Sequence, residues 1–113
     1  MSPIPLEMRE QLAEDYFMTH CVHYDTECKG RVEWEHAIYY AGRQINELWT
    51  IVPVCTYHHR GGGLNKEYNR FWAFTRLWSM GEEYLEEQLK KYYRAADGWV
   101  TEYDDLKKKY GTV

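Results

Sequence analysis

All three cysteines and all five histidines of this 113-residue chain fall between positions 20 and 59. Such crowding of soft and borderline ligands points to metal chemistry. Cys55 and His58 stand three residues apart, a spacing that lets one tight turn present two ligands to a single ion. Cys21 and Cys28 can complete a tetrahedral Cys3His set. Their separation is wider than the usual two-residue knuckle, and His23 is an alternative to either of them. A Zn2+ held this way would clamp an N-terminal loop to the end of a hairpin and stabilise a small domain. Three cysteines cannot all pair as disulfides.

A second group is Glu35-His36 with His59. Neighbouring residues on a strand point to opposite faces unless the strand ends or bulges, so Glu35 and His36 must sit where a strand ends or bends. The elements that would place them read as follows. Pro3, Pro5 and Glu7 suit the start of a helix over about 5–18. Residues 21–30 have no period and form a loop. Residues 31–40 begin with alternation, Val32, Trp34 and His36 against Arg31, Glu33 and Glu35, which predicts a strand. Gly42 and Asn46 lie in a connection, and residues 50–54 make a short apolar second strand. Gly61-Gly62-Gly63 breaks the chain before a helix over about 65–79 with Phe71, Phe74 and Trp78 in one stripe. Helices over about 82–95 and after Asp97-Gly98 follow, the last with Trp99, Tyr103, Leu106 and Tyr110 on one face. The expected fold class is α+β, a β-hairpin centre with helices on both its N-terminal and C-terminal sides.

Length and composition bound the rest. The 44% hydrophobic and 17% aromatic content belongs to a globular chain, and 113 residues suit one domain, 1–113. The absence of a long apolar run or a signal-like N-terminus predicts no membrane span and a cytoplasmic location. The five tryptophans are expected mainly in the core, and the aromatic stripes of the last helices suit either intramolecular packing or a homodimer. Net charge is -4, which does not favour nucleic acid, yet its distribution is uneven. Residues 1–28 carry one basic and six acidic side chains, whereas residues 29–76 carry seven basic and four acidic. The positive block coincides with the candidate chemistry.

The order of these residues resembles a known family: a cysteine pair, acid-His, a hydrophobic strand, then a ligand pair followed by His. Ile51-Val52-Pro53-Val54-Cys55-Thr56-Tyr57-His58-His59 is similar to the closing segment of the HNH (His-Me finger, ββα-metal) endonucleases, with His58 where a cysteine is usual. The resemblance covers about residues 20–75, leaves 80–113 as a helical extension, and is nearest to small bacteriophage nucleases, acting in the cytoplasm of a bacterial host. It implies DNA as substrate and His36 as the general base, a task suited to an imidazole. It further implies that His59 and Glu35 ligate a catalytic Mg2+ or Mn2+ and that Arg43, Arg60 and Lys66 hold phosphates. Asn69, on the helix after the glycines, is either an additional ligand of that ion or an exposed helix residue. The family's central Asn, which constrains its loop and orients the base, falls in register on Thr50, while Asn46 lies four residues earlier. Either Asn46 takes that role or it is lost. The alternative is a catalytically inactive, zinc-stabilised module that binds nucleic acid or protein.

Overall fold

The computed structural model describes residues 4–111; Pro3, expected to help open the first helix, lies outside the described residues. The chain runs as α1 (Leu6–Ala13), a 3-10 turn (Tyr16–Thr19), β1 (Val32–His36), β2 (Tyr39–Tyr40), β3 (Arg43–Gln44), β4 (Ile51–Cys55), α2 (Thr56–Arg60), α3 (Lys66–Ser79), α4 (Glu82–Lys91) and α5 (Tyr93–Tyr110). This is an α+β domain. β1 and β4 form an antiparallel pair with Val32 opposite Cys55 and His36 opposite Ile51, and β2 and β3 form a separate small hairpin between them.

Every residue of β4 is buried, as its unbroken apolar run requires. Pro53 is tolerated because both strands of a two-stranded sheet are edges. Its carbonyl accepts a bond from Val22 N at 2.9 Å, which fastens the Cys21 loop to β4. Thr56 N and Tyr57 N donate to Arg31 O and Lys29 O at 3.1 and 3.2 Å, tying the start of α2 to the entry of β1. Gly30 sits between them at φ +83°, and a Cβ there would lie 2.6 Å from Thr56 Oγ1. Only glycine satisfies both conditions.

The main core lies between the sheet and α3 and α5. Trp49 is fully buried, with ring centroids 5.2 Å from Trp99 and 5.9 Å from Phe74. Its indole N–H donates to Gln88 Oε1 at 2.9 Å, and Gln88 donates to Glu47 at 3.2 Å. Glu47 also receives Lys91 at 2.7 Å and the Tyr92 hydroxyl. Buried polar groups are thereby paired, as their desolvation demands. The same network anchors the loop before β4 onto α4. Within that loop the Thr50 hydroxyl, itself buried, bonds Ile45 O at 2.7 Å and Glu47 O at 3.0 Å.

Three element boundaries differ from those expected. The first helix ends at Ala13, because the Asp15 carboxylate takes Phe17 N at 3.0 Å and starts the 3-10 turn instead. The break between the last two helices falls at Tyr92, not at Asp97-Gly98. Tyr92 is buried against Tyr40 at 5.1 Å and bonded to Glu47, so tertiary contacts fix the bend while Gly98 is absorbed into α5. The first strand ends at His36, and residues 39–44 turn aside as the β2–β3 hairpin. No helix among the described residues is long and apolar enough to cross a membrane.

Candidate functional site

Cys21 from the loop pinned to β4, Cys28 from the loop before β1, Cys55 at the end of β4 and His58 in α2 converge. Their four ligand atoms all lie within 4.8 Å of one another. Cys21, Cys55 and His58 are buried and Cys28 half-buried, and none of the three cysteines is in a disulfide. The His58 Nδ1 atom is 3.7, 3.7 and 3.1 Å from the sulfurs of Cys21, Cys28 and Cys55. Zinc–sulfur and zinc–nitrogen bonds of ordinary length meeting at a tetrahedral angle would separate these atoms by about 3.5 Å. The donor set therefore fits a zinc ion in both chemistry and spacing.

The electrostatics agree. Burial works to raise the Cys55 thiol, but the backbone amides of His58 and Lys29 outweigh it and bring its pKa to about 6. Cys28 is pushed up to about 11, first by burial and then by its Cys21 and Cys55 neighbours. Crowded thiols oppose each other's ionisation, and a divalent cation removes that opposition. On the other side of the ring, Asp25 Oδ2 lies 3.2 Å from His58 Nε2. A carboxylate there holds the proton on Nε2 and leaves the Nδ1 lone pair facing the sulfurs. His23 stacks parallel on His58, with centroids 4.0 Å apart and planes 7° apart, and stands outside the four-residue group.

A second constellation opens on a cleft of about 640 Å3 lined by, among others, Arg9, Arg31, Glu33, Glu35, His36, His59 and Arg60. His36 closes β1, where the strand stops constraining its side chain. Its Nε2 lies 2.7 Å from Asn46 Oδ1, so Nε2 carries the proton and Nδ1 the lone pair. His59 Nδ1 lies 2.7 Å from Glu33 Oε1, and Arg60 reaches the other oxygen of Glu33 at 2.8 Å. The His59 bond above all, helped by Arg60, holds the Glu33 carboxyl below its ordinary range against the opposing effect of burial. With Nδ1 fixed as the donor, His59 keeps its lone pair on Nε2.

Glu35 and His36 also border a smaller hollow of about 270 Å3 that includes Lys66, Asn69 and Arg70. Asn69 is 1% exposed, so it is an interior residue of α3. Its amide donates to Glu35 Oε2, and its carbonyl oxygen lies 3.2 Å from His23 Nε2. Burial raises the Glu35 pKa above its ordinary 4.5, with His59, Asn69 and Lys66 pulling the other way. A raised folded-state pKa means that ionised Glu35 costs folding free energy at neutral pH, a cost that fades as pH falls towards 4.5. Glu35→Gln should therefore raise the melting temperature of the protein by a few degrees near neutral pH without added divalent ions. The gain should shrink on acidification, and scanning calorimetry at several pH values would reveal it. An unchanged or lowered melting temperature at neutral pH would count against a strained carboxylate.

The structure thus places Glu35, His36 and His59 along the lining of one cleft, with His36 at the Ile51 end of the β1–β4 pair and His59 at the Cys55 end, Asn46 bonded to His36 and Asn69 behind Glu35. Arg60 and Lys66 border the two hollows. Arg43 is exposed on β3 and borders neither. Sequence reasoning did not single out Glu33, Arg9, Arg70 or Asp25. The signal for Glu33 was present, since strand alternation puts it on the face of Glu35. Comparison with known protein families, with curated proteins and with solved structures finds no match to this chain. The functional reading accordingly rests on the residues themselves.

Proposed function

We propose that the chain is a divalent-metal-dependent DNA endonuclease of the HNH, ββα-metal kind, with a structural zinc in its Cys3His group. The observation that supports this most is the meeting of Glu35, His36 and His59 on one open cleft that Arg9, Arg31 and Arg60 also line. Cations beside an acid and two imidazoles suit a phosphodiester, whose charge they attract and orient.

The parts have separable roles. Asn46 fixes the ring of His36 so that Nδ1 offers its lone pair to water, and a neutral imidazole is a good base near neutral pH. His59 through Nε2, and Glu35, are the side chains that would hold a divalent ion. Mg2+ is content with few protein ligands and completes its shell with water and substrate oxygens. When bound, it would stabilise the charge that develops on the phosphoryl group and the leaving oxygen. Arg60, already turned towards Glu33, is placed to hold a neighbouring phosphate. The two tasks that the resembling family gives to one central Asn are divided here: Thr50 stitches the loop and Asn46 meets the base.

The test is nicking of supercoiled plasmid by zinc-loaded protein. Mg2+ or Mn2+ should produce open circles at a rate well above the reaction without added divalent ion. If folded, zinc-loaded protein leaves supercoiled, linear and branched DNA intact in both ions, the enzymatic reading is wrong. Salt-dependent DNA binding under those conditions would instead mark a non-catalytic module.

A further inference from the structure

The two constellations are joined by a continuous run of contacts. His23 lies on the loop between Cys21 and Cys28, with its ring stacked 4.0 Å from His58. Its Nε2 is 3.2 Å from Asn69 Oδ1, and the Asn69 amide donates to Glu35 Oε2. Asn69 is fully interior, and an amide in that position must satisfy both its ends within the protein. With one end held by His23 its orientation is settled, N–H towards Glu35, since the reverse orientation would set the amide oxygen against a carboxylate. Sequence spacing shows nothing of this, because the three residues come from a loop, a strand and a helix.

We propose that His23 is a positioning residue for the Glu35 carboxylate, acting through Asn69, so that the cysteine-bearing loop also sets the aim of the cleft's acid. The consequence for metal binding rests on the nuclease reading above; the positioning itself does not. Outer partners of this kind typically change metal affinity by about 10- to 100-fold when removed.

Two substitutions in the full-length, zinc-loaded chain separate positioning from packing. His23→Phe keeps a ring to stack on His58 but has no donor. His23→Gln gives up the ring but retains an N–H within reach of Asn69. The first readout is the Asn69 side-chain amide in 15N–1H spectra without any added divalent ion. In the unaltered protein these protons should be downfield and slow to exchange. His23→Phe should shift them and speed their exchange, and His23→Gln should restore both. The second readout is the Mn2+ concentration that half-saturates cleavage, which His23→Phe should raise about tenfold, and His23→Gln much less. A merely structural role predicts the opposite order, with Phe the better substitute.

If His23→Phe leaves the Asn69 amide signals unchanged, the proposal is overturned whatever the cleavage assay gives. If those signals respond as expected and the unaltered chain neither cleaves DNA nor binds Mn2+, the positioning stands and the nuclease reading falls.

Discussion

Cys55→Ser, or stripping of the zinc by a chelator, should lower the melting temperature by about 15 °C or more. The reasoning begins with what holds residues 20–31 in place. Apart from the bond from Val22 to Pro53 and the backbone bonds of Lys29 and Arg31 to α2, that segment has little regular structure. An ion that binds only the folded form at a thousandfold over its dissociation constant contributes about 4 kcal/mol. For a domain near this size each kcal/mol is worth roughly 4–8 °C. Cys55 is the substitution of choice because it is 2% exposed and nearest to His58 Nδ1, at 3.1 Å. The loss should also be uneven. The core around Trp49, Phe74 and Trp99 and the Glu47 network supply no ligand to the cluster and are held by their own contacts in α3 to α5, although Cys21, Val22 and Cys55 pack against the same core. Hydrogen exchange should therefore show early loss of protection in residues 20–31 and α2, with α3 to α5 lasting longer. Metal analysis should find one zinc per unaltered chain and none in the variant. A variant that melts like the parent would remove the metal from the account of this fold.

What the sequence made legible follows from the range of the interactions concerned. The ligand group could be read because Cys55 and His58 are neighbours in a turn and the cysteines upstream had few other uses. That Glu35-His36 must sit where a strand ends or bends could be inferred because strand alternation is a local rule. The strand signal over 31–40 did not show that β1 stops at His36 and that 39–44 turn aside. α3 was bounded by the glycine run and by Asn65, whose side chain caps it on Tyr68 N. The bend at Tyr92 was hidden, since it depends on Tyr40 and Glu47, which lie about fifty residues away in sequence. The partner of His59 was hidden for a similar reason. Alternation put Glu33 and Glu35 on one face, but only the position of α2 decides that His59 falls beside Glu33. Asn69 can be placed on a helix from sequence; that it is buried between His23 and Glu35 depends on how α3 crosses the sheet. The question of Thr50 against Asn46 also needed the loop, where a buried hydroxyl turns out to do the stitching.

His36→Ala should reduce DNA cleavage by about 10²- to 10⁴-fold, the usual contribution of a positioned acid–base group, while leaving DNA affinity nearly unchanged. On the proposed mechanism the two effects separate, because a neutral His36 base would contribute no charge to phosphate binding, whereas Arg60 and Lys66 would. His36 is at the last position of β1 and lines the cleft rather than the core, so its removal leaves no large cavity. The melting temperature should move little, which distinguishes this variant from the zinc-site one. Asn46→Ala should show a smaller fall in rate. It removes the oxygen 2.7 Å from Nε2 that selects the tautomer, and the ring then divides its time between orientations. Raising pH cannot restore that selection, because a neutral imidazole without a partner still populates both tautomers. Single-turnover cleavage at saturating Mn2+, with binding followed by fluorescence anisotropy, would measure both quantities. Equal rates for His36→Ala and the unaltered chain would remove His36 as the base, and cleavage would then have to depend on another proton acceptor at the cleft, of which Glu35, with its raised pKa, is the nearest in sequence.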